Sequence, residues 1–163
     1  MMLVLPQRKK QLFFTFLLFL LAINSSFSQD PVSEFLDSIL THEEDTSKKV
    51  LGLLRYSGQN RYVPPTKKLI AKAVQISKTN EDALLLANSY YALGNYHFFN
   101  ANIDSSLTSL DLADEYLGTK DQMLKASILS TRGGIYSKSG DVTLALATQL
   151  EAKAILEQID ESG

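Results

Sequence analysis

Leu93-Gly94-Asn95-Tyr96-His97-Phe98-Phe99-Asn100-Ala101-Asn102-Ile103-Asp104-Ser105-Ser106-Leu107 and Arg132-Gly133-Gly134-Ile135-Tyr136-Ser137-Lys138-Ser139-Gly140-Asp141-Val142-Thr143-Leu144-Ala145-Leu146 read as two copies of one pattern. Gly94 falls on Gly133 and His97 on Tyr136. The Ala101-Asn102 turn falls on Gly140-Asp141, Ile103 on Val142, and Leu107 on Leu146. A weaker copy precedes them: Leu54 takes the glycine position, Arg61 and Tyr62 the turn, and Ala73 matches Ala113 and Ala152. The step is 40 residues from Leu54 to Gly94 and 39 from Gly94 to Gly133. Self-similarity at such a period marks a stacked repeat architecture.

Around these copies the pattern is helical. From Thr46 onward no stretch alternates apolar and polar residues as a half-buried strand requires. Six helices are expected in three pairs: about 46–58 with 65–78, 81–99 with 103–117, and 121–138 with 142–159. Each break has a chemical cause. Val63-Pro64-Pro65-Thr66 interrupts the first pair, because proline removes a helical donor and biases its predecessor away from helix. Asn100-Ala101-Asn102 interrupts the second and Ser139-Gly140-Asp141 the third; Gly and Asn tolerate the left-handed backbone that ends a helix, and Asp141 is placed to cap the next. Within a helix the apolar residues recur every three or four positions, as with Ile103, Leu107, Leu110, Ala113 and Leu117, and such a stripe must be covered by another helix. Val32, Phe35, Leu36, Ile39 and Leu40 form one further stripe, a short leading helix before the acidic linker His42-Glu43-Glu44-Asp45.

The recurring residues have a packing logic. A small residue in the first helix of each pair admits the second helix closely. The aromatic three positions later fills the space between neighbouring pairs. The alanine late in the second helix permits contact with the next pair. No hairpin buries its apolar face alone, so the stack is stable only as an array.

These residues resemble the tetratricopeptide repeat (TPR), whose pattern has Leu-Gly then Tyr in the first helix, a Gly-Asp or Gly-Asn turn, and Ala-Leu then Ala in the second. Leu93, Gly94, Asn102, Leu107 and Ala113 carry it in the second repeat; Gly133, Tyr136, Gly140, Asp141, Ala145, Leu146 and Ala152 carry it in the third. The repeats fall at about 47–80, 87–120 and 126–160. Three features depart from the family: a step near 40 where 34 is usual, Ser106 in place of the first alanine, and no glycine in the first repeat. The resemblance implies an all-α, right-handed α-solenoid of about three helix-turn-helix, TPR-like repeats with long helices. A Ser/Gln junction, then Asp45-Thr46-Ser47-Lys48, then long repeats, is also similar to the exported sensor region of Bacteroidetes-type signalling proteins.

The N-terminus points to export. Arg8-Lys9-Lys10 precede the apolar run Leu12–Ile23, broken only by Thr15, and Ser26 and Ser28 are small residues suited to cleavage after Ser28. That is the layout of a signal peptide, and its apolar run is shorter than the roughly 20 residues a spanning helix needs. Residues 1–28 are therefore expected to be a signal peptide, 29–45 a linker with a short capping helix, and 46–163 the repeat domain, exported to a periplasmic or cell-envelope location. The membrane is an expected partner only if the segment is retained. Three of the 16 basic residues and none of the 18 acidic residues precede Gln29, leaving a formal charge of −5. An acidic domain without a basic stripe is a poor partner for nucleic acid. With no cysteine there is no disulfide framework, thiolate metal site, cysteine nucleophile or lipidated cysteine.

Catalytic and metal-binding patterns are missing from the sequence. There is no phosphate-binding loop, no dinucleotide fingerprint, no H-E-x-x-H and no nucleophile elbow. His97 takes an aromatic packing position and His42 lies far from it in an acidic segment. Neither an enzyme nor a cofactor-binding protein is expected, and no metal site. What remains is recognition: stacked hairpins form a groove lined by their first helices. In the TPR register, the groove-facing candidates are Arg55, Asn88, Tyr91, Asn95, Phe99, Ser130 and Lys138. Asn side chains bond an extended peptide backbone, Tyr91 and Phe99 supply contact area, and Arg55 and Lys138 suit a carboxylate. The expected partner is a protein or peptide. Two functions fit: an exported interaction scaffold, or the truncated periplasmic sensor region of a TPR-containing histidine kinase or transcriptional regulator. Finally, no polar cap follows the last helix, so Leu146, Leu150 and Leu156 are expected to be partly uncovered; a fragment of a longer chain, or self-association through that helix, would account for it.

Overall fold

A computed structural model describes residues 31–162; the segment expected to be a signal peptide, with its expected cleavage after Ser28, lies outside the described residues. Seven helices follow one another: α1 Pro31–His42, α2 Thr46–Gln59, α3 Thr66–Thr79, α4 Ala83–Phe99, α5 Ile103–Leu117, α6 Gln122–Lys138 and α7 Val142–Ser162. There is no strand among the described residues. The protein is an all-α stack of helix pairs, α2–α3, α4–α5 and α6–α7, with α1 laid against α2 and α3.

The starts are fixed by side-chain caps. Asp45, Asp82 and Asp121 precede α2, α4 and α6, and each accepts a hydrogen bond from the backbone N–H three residues on, at Lys48, Leu85 and Leu124 (2.8, 2.9 and 2.9 Å). A carboxylate there satisfies an orphan donor and faces the positive helix end. The acidic linker is thus shorter than its composition suggested: α1 runs through His42, and Asp45 is a cap. Asn102 and Asp141 cap α5 and α7 in the same way. Asn60, Asn80 and Asn100 close α2, α3 and α4, each Nδ2 donating to the carbonyl four residues back.

Several details differ from the sequence reading, and the last helix runs on to Ser162 where 159 was expected. The fourth helix begins at Ala83 and not at 81, because Glu81 has φ 53°, outside the helical region. In the Asn100-Ala101-Asn102 turn, the left-handed residue is Ala101 (φ 57°), while both asparagines are engaged in capping. In the next repeat Gly140 holds this place at φ 82°. A left-handed alanine costs about 1 kcal/mol that glycine avoids. Ala101→Gly is therefore expected to raise the melting temperature by about 3 °C, read by thermal circular dichroism.

The core explains why the pairs do not stand alone. One buried cluster joins Val32 of α1, Val50 and Leu53 of α2, Leu69 and Ala73 of α3, and Leu85 of α4. A second joins Leu86, Ala87 and Tyr90 of α4, Leu110, Ala113 and Leu117 of α5, and Leu124, Ile128 and Ile135 of α6. Each of these two hairpin cores is completed by the first helix of the next pair. Ala73, Ala113 and Ala152 are all buried at the repeat step. Gly94 lies where a Cβ would meet Leu110 Cδ2 at 2.8 Å, so the glycine is what lets α5 close on α4. Ser106, the departure from the repeat's alanine, is fully buried and donates its hydroxyl to the Gly94 carbonyl at 2.8 Å.

Ion pairs add to the junction of the second and third pairs. Asp114 accepts from Lys125 (2.6 Å) and Arg132 (3.2 Å), and Arg132 also reaches Asp111 (2.7 Å). Beyond α7 nothing in the described residues covers Val142, Leu146 and Leu150, which are 73, 60 and 56% exposed. The matching face of α5, at Ile103 and Leu107, is half-buried. None of the described helices is long and apolar enough to cross a membrane.

Candidate functional site

First helices and second helices are arranged differently along the stack. α2 contacts α4 and α4 contacts α6, whereas no Cα atoms of α3 and α5, or of α5 and α7, come within 8 Å of each other. The first helices thus form a close-set inner row and the second helices a splayed outer row, which curves the stack around the first-helix face. Two hydrogen bonds register that inner row: Thr131 Oγ1 donates to Asn95 Oδ1 (3.1 Å) and Asn100 Nδ2 to the Arg61 carbonyl (3.4 Å).

A solvent-open groove of about 860 Å³ lies on this face. Arg55 of α2, Asn88, Tyr91, Asn95 and Phe99 of α4, and Ser130 of α6 line it together. On α4 the spacing 88, 91, 95, 99 puts these side chains on one helical face, while the rest of the helix is wrapped by its neighbours. Lys138 is the exception. It lies outside the lining, at the C-terminal rim, with Nζ 4.1 Å from the ring centre of Phe98, which does line the groove.

Polar capacity in the groove is only partly used. Asn88 Nδ2 donates to the Leu84 carbonyl and Asn95 Oδ1 accepts from Thr131. No described residue bonds Asn88 Oδ1 or Asn95 Nδ2, which leaves one amide acceptor and one amide donor unengaged on groove-lining residues, the pair an extended peptide backbone requires. Leu51, Met123 and Tyr91 give the groove apolar lining, and Leu51 and Met123 are 44 and 52% exposed.

Sequence reasoning missed several lining residues, among them Leu51, Arg61, Phe98, Ser127 and Thr131. The repeat step itself would have found some. Leu51 stands 40 residues before Tyr91, and Ser127 stands 39 after Asn88. Arg61 carries no such signal, since it sits in the turn after α2.

His97 is a packing residue, 9% exposed and edge-on to Tyr96. Burial first, and then the nearby Lys67, lowers its pKa from the ordinary imidazole value. The folded protein thus favours neutral His97, and the unfolded chain binds the proton more readily. Stability from this residue is complete above pH 6.5 and declines as pH falls toward the depressed folded value. His97→Phe is expected to flatten the loss of melting temperature between about pH 7.5 and pH 5 relative to the native chain.

Comparisons with family models, with curated proteins and with solved structures find no match for this chain.

Proposed function

We propose that this protein is an exported interaction scaffold that holds a protein segment or peptide in the groove of its first helices. The observation that carries the reading is the groove, which draws on the first helix of every pair and keeps an amide donor and an amide acceptor unengaged beside Tyr91. The basic, apolar and small-residue succession before Gln29 supports export, and the repeated residues support membership of the tetratricopeptide class. An extended segment laid across the inner row would bond Asn88 and Asn95 through its backbone. Side chains pointing down would reach Leu51, Tyr91 and Met123.

The test is a randomised peptide display selected on the purified domain, followed by calorimetry of the enriched sequences. Binding is expected in the micromolar range, weakened about tenfold by Tyr91→Ala and again by Asn95→Ala, with melting curves verifying that each variant is folded at the assay temperature. Binding that survives both substitutions places the site elsewhere and overturns the reading.

A further inference from the structure

Carboxylates are unevenly distributed over the helices. None of α2, α3, α4 or α6 contains an Asp or Glu; those residues lie on α1, α5, α7 and the connecting segments. The groove lining accordingly contains Arg55 and Arg61 and not one acidic side chain. This holds although the chain after Ser28 is acidic overall. Asp45, Asp82 and Asp121 stand at the far, N-terminal ends of the first helices, where each is engaged as a cap.

The cations at the other end are held by aromatic rings and not by acids. The Arg61 guanidinium lies 4.5 Å from the ring centre of Phe99, and Lys138 Nζ lies 4.1 Å from that of Phe98. The two rings are 5.3 Å apart, and Tyr62 meets Phe99 edge-on at 5.9 Å. No described carboxylate forms an ion pair with Arg55, Arg61 or Lys138. Lys125 and Arg132 differ, being neutralised by Asp111 and Asp114. A basic residue near a helix C-terminus complements the helix dipole. That effect is confined to the last turn and does not account for acid-free helices along the whole inner row.

We infer that the groove selects an acidic peptide segment, whose carboxylates meet Arg55 and the Arg61–Phe99–Phe98–Lys138 rim. This rests on the groove being the binding site. A ring beneath each rim cation limits its rotamers, so less freedom is lost when a carboxylate arrives. With no intramolecular acid, these exposed cations keep charged donors for the ligand; Arg61 gives its Nε–H to the Gly58 carbonyl (3.1 Å) and retains its terminal amino groups.

Randomised ten-residue peptide display on the native domain tests it, in parallel with an Arg55→Glu/Arg61→Glu/Lys138→Glu variant and a Lys68→Glu/Lys72→Glu control on α3. All five residues project to solvent or are half-buried, and melting curves verify each fold; single reversals replace the triple variant if it melts early. Asp and Glu are expected to enrich on the native domain and on the α3 control, while the groove variant enriches Lys and Arg. Replacing Glu by Gln in a selected peptide is expected to weaken binding at least about tenfold, and about 300 mM salt to weaken it further. Selected peptides without acid enrichment, but still dependent on Tyr91, would overturn the acidic preference and leave the groove intact. Acid preference lost in the α3 control would move the site to α3. A single-stranded oligonucleotide binding as tightly as the best peptide would replace a peptide by a general polyanion. No binders at all would overturn both the preference and the groove.

Discussion

Gly94→Val is expected to lower the melting temperature by about 10 °C, a loss of about 3 kcal/mol from overpacking. Even a single Cβ at Gly94 would lie 2.8 Å from Leu110 Cδ2 and 2.9 Å from its Cγ. Leu110 is fully buried and cannot swing into solvent. Either α5 shifts away from α4, breaking the Ser106 hydroxyl bond to the Gly94 carbonyl, or Leu110 leaves its rotamer. Alanine gains about 1 kcal/mol of helix propensity over glycine, so Gly94→Ala loses less than Gly94→Val but still loses. The double variant Gly94→Val/Leu110→Ala should be less damaged than the two single changes added, because the cavity of one receives the methyls of the other. Gly133 supplies the contrast. The three atoms nearest a Cβ there belong to the exposed Gln149 side chain, which can turn aside at the loss of one long hydrogen bond to the Ser130 carbonyl (3.3 Å). Gly133→Ala is therefore expected to be neutral or stabilising. Thermal and urea unfolding of these variants separates the outcomes.

Ile128→Ala is expected to cost about 3 kcal/mol. Ile128 is fully buried in the cluster that α4, α5 and α6 share, so its deletion leaves a cavity between the second and third pairs. The effect should reach the whole stack. α4 places Leu85 in the first cluster and Leu86, Ala87 and Tyr90 in the second, which couples the two cores through one helix. A single unfolding transition at lower denaturant is the expected result, and two separated transitions would show that the pairs are independent units.

The repeat made most of the fold legible. Periodicity placed every helix of the three pairs, because two signals agreed: apolar residues at helical spacing and breakers at a fixed step. Gly94 and Ala113 were readable as contact points, since a small residue recurring at the same place in successive hairpins marks where two helices approach closely. The turn at Ala101 was not readable. Its asparagines advertise left-handed backbone, but side-chain capping at both ends claims them, and the alanine between is left with the positive φ. α1 was seen as a stripe, yet its end at His42 was hidden by an acidic run that looks like linker. In the groove, the spacing 88, 91, 95, 99 was visible because one helix carries it. Arg61 was invisible because a turn residue acquires its position from packing, here on Phe99. Lys138 was placed in the groove by register, but its long chain lies back over Phe98 to the rim.

The most direct test is a cross-link between neighbouring first helices. The chain has no native cysteine, so Asn95→Cys/Thr131→Cys introduces one defined pair, at side chains 3.1 Å apart. Oxidation or a short dithiol-bridging reagent should give an intramolecular link in the monomer, with circular dichroism unchanged and a higher melting temperature. A well-folded double variant whose thiols never join within one molecule would contradict the close-set inner row, and with it the groove.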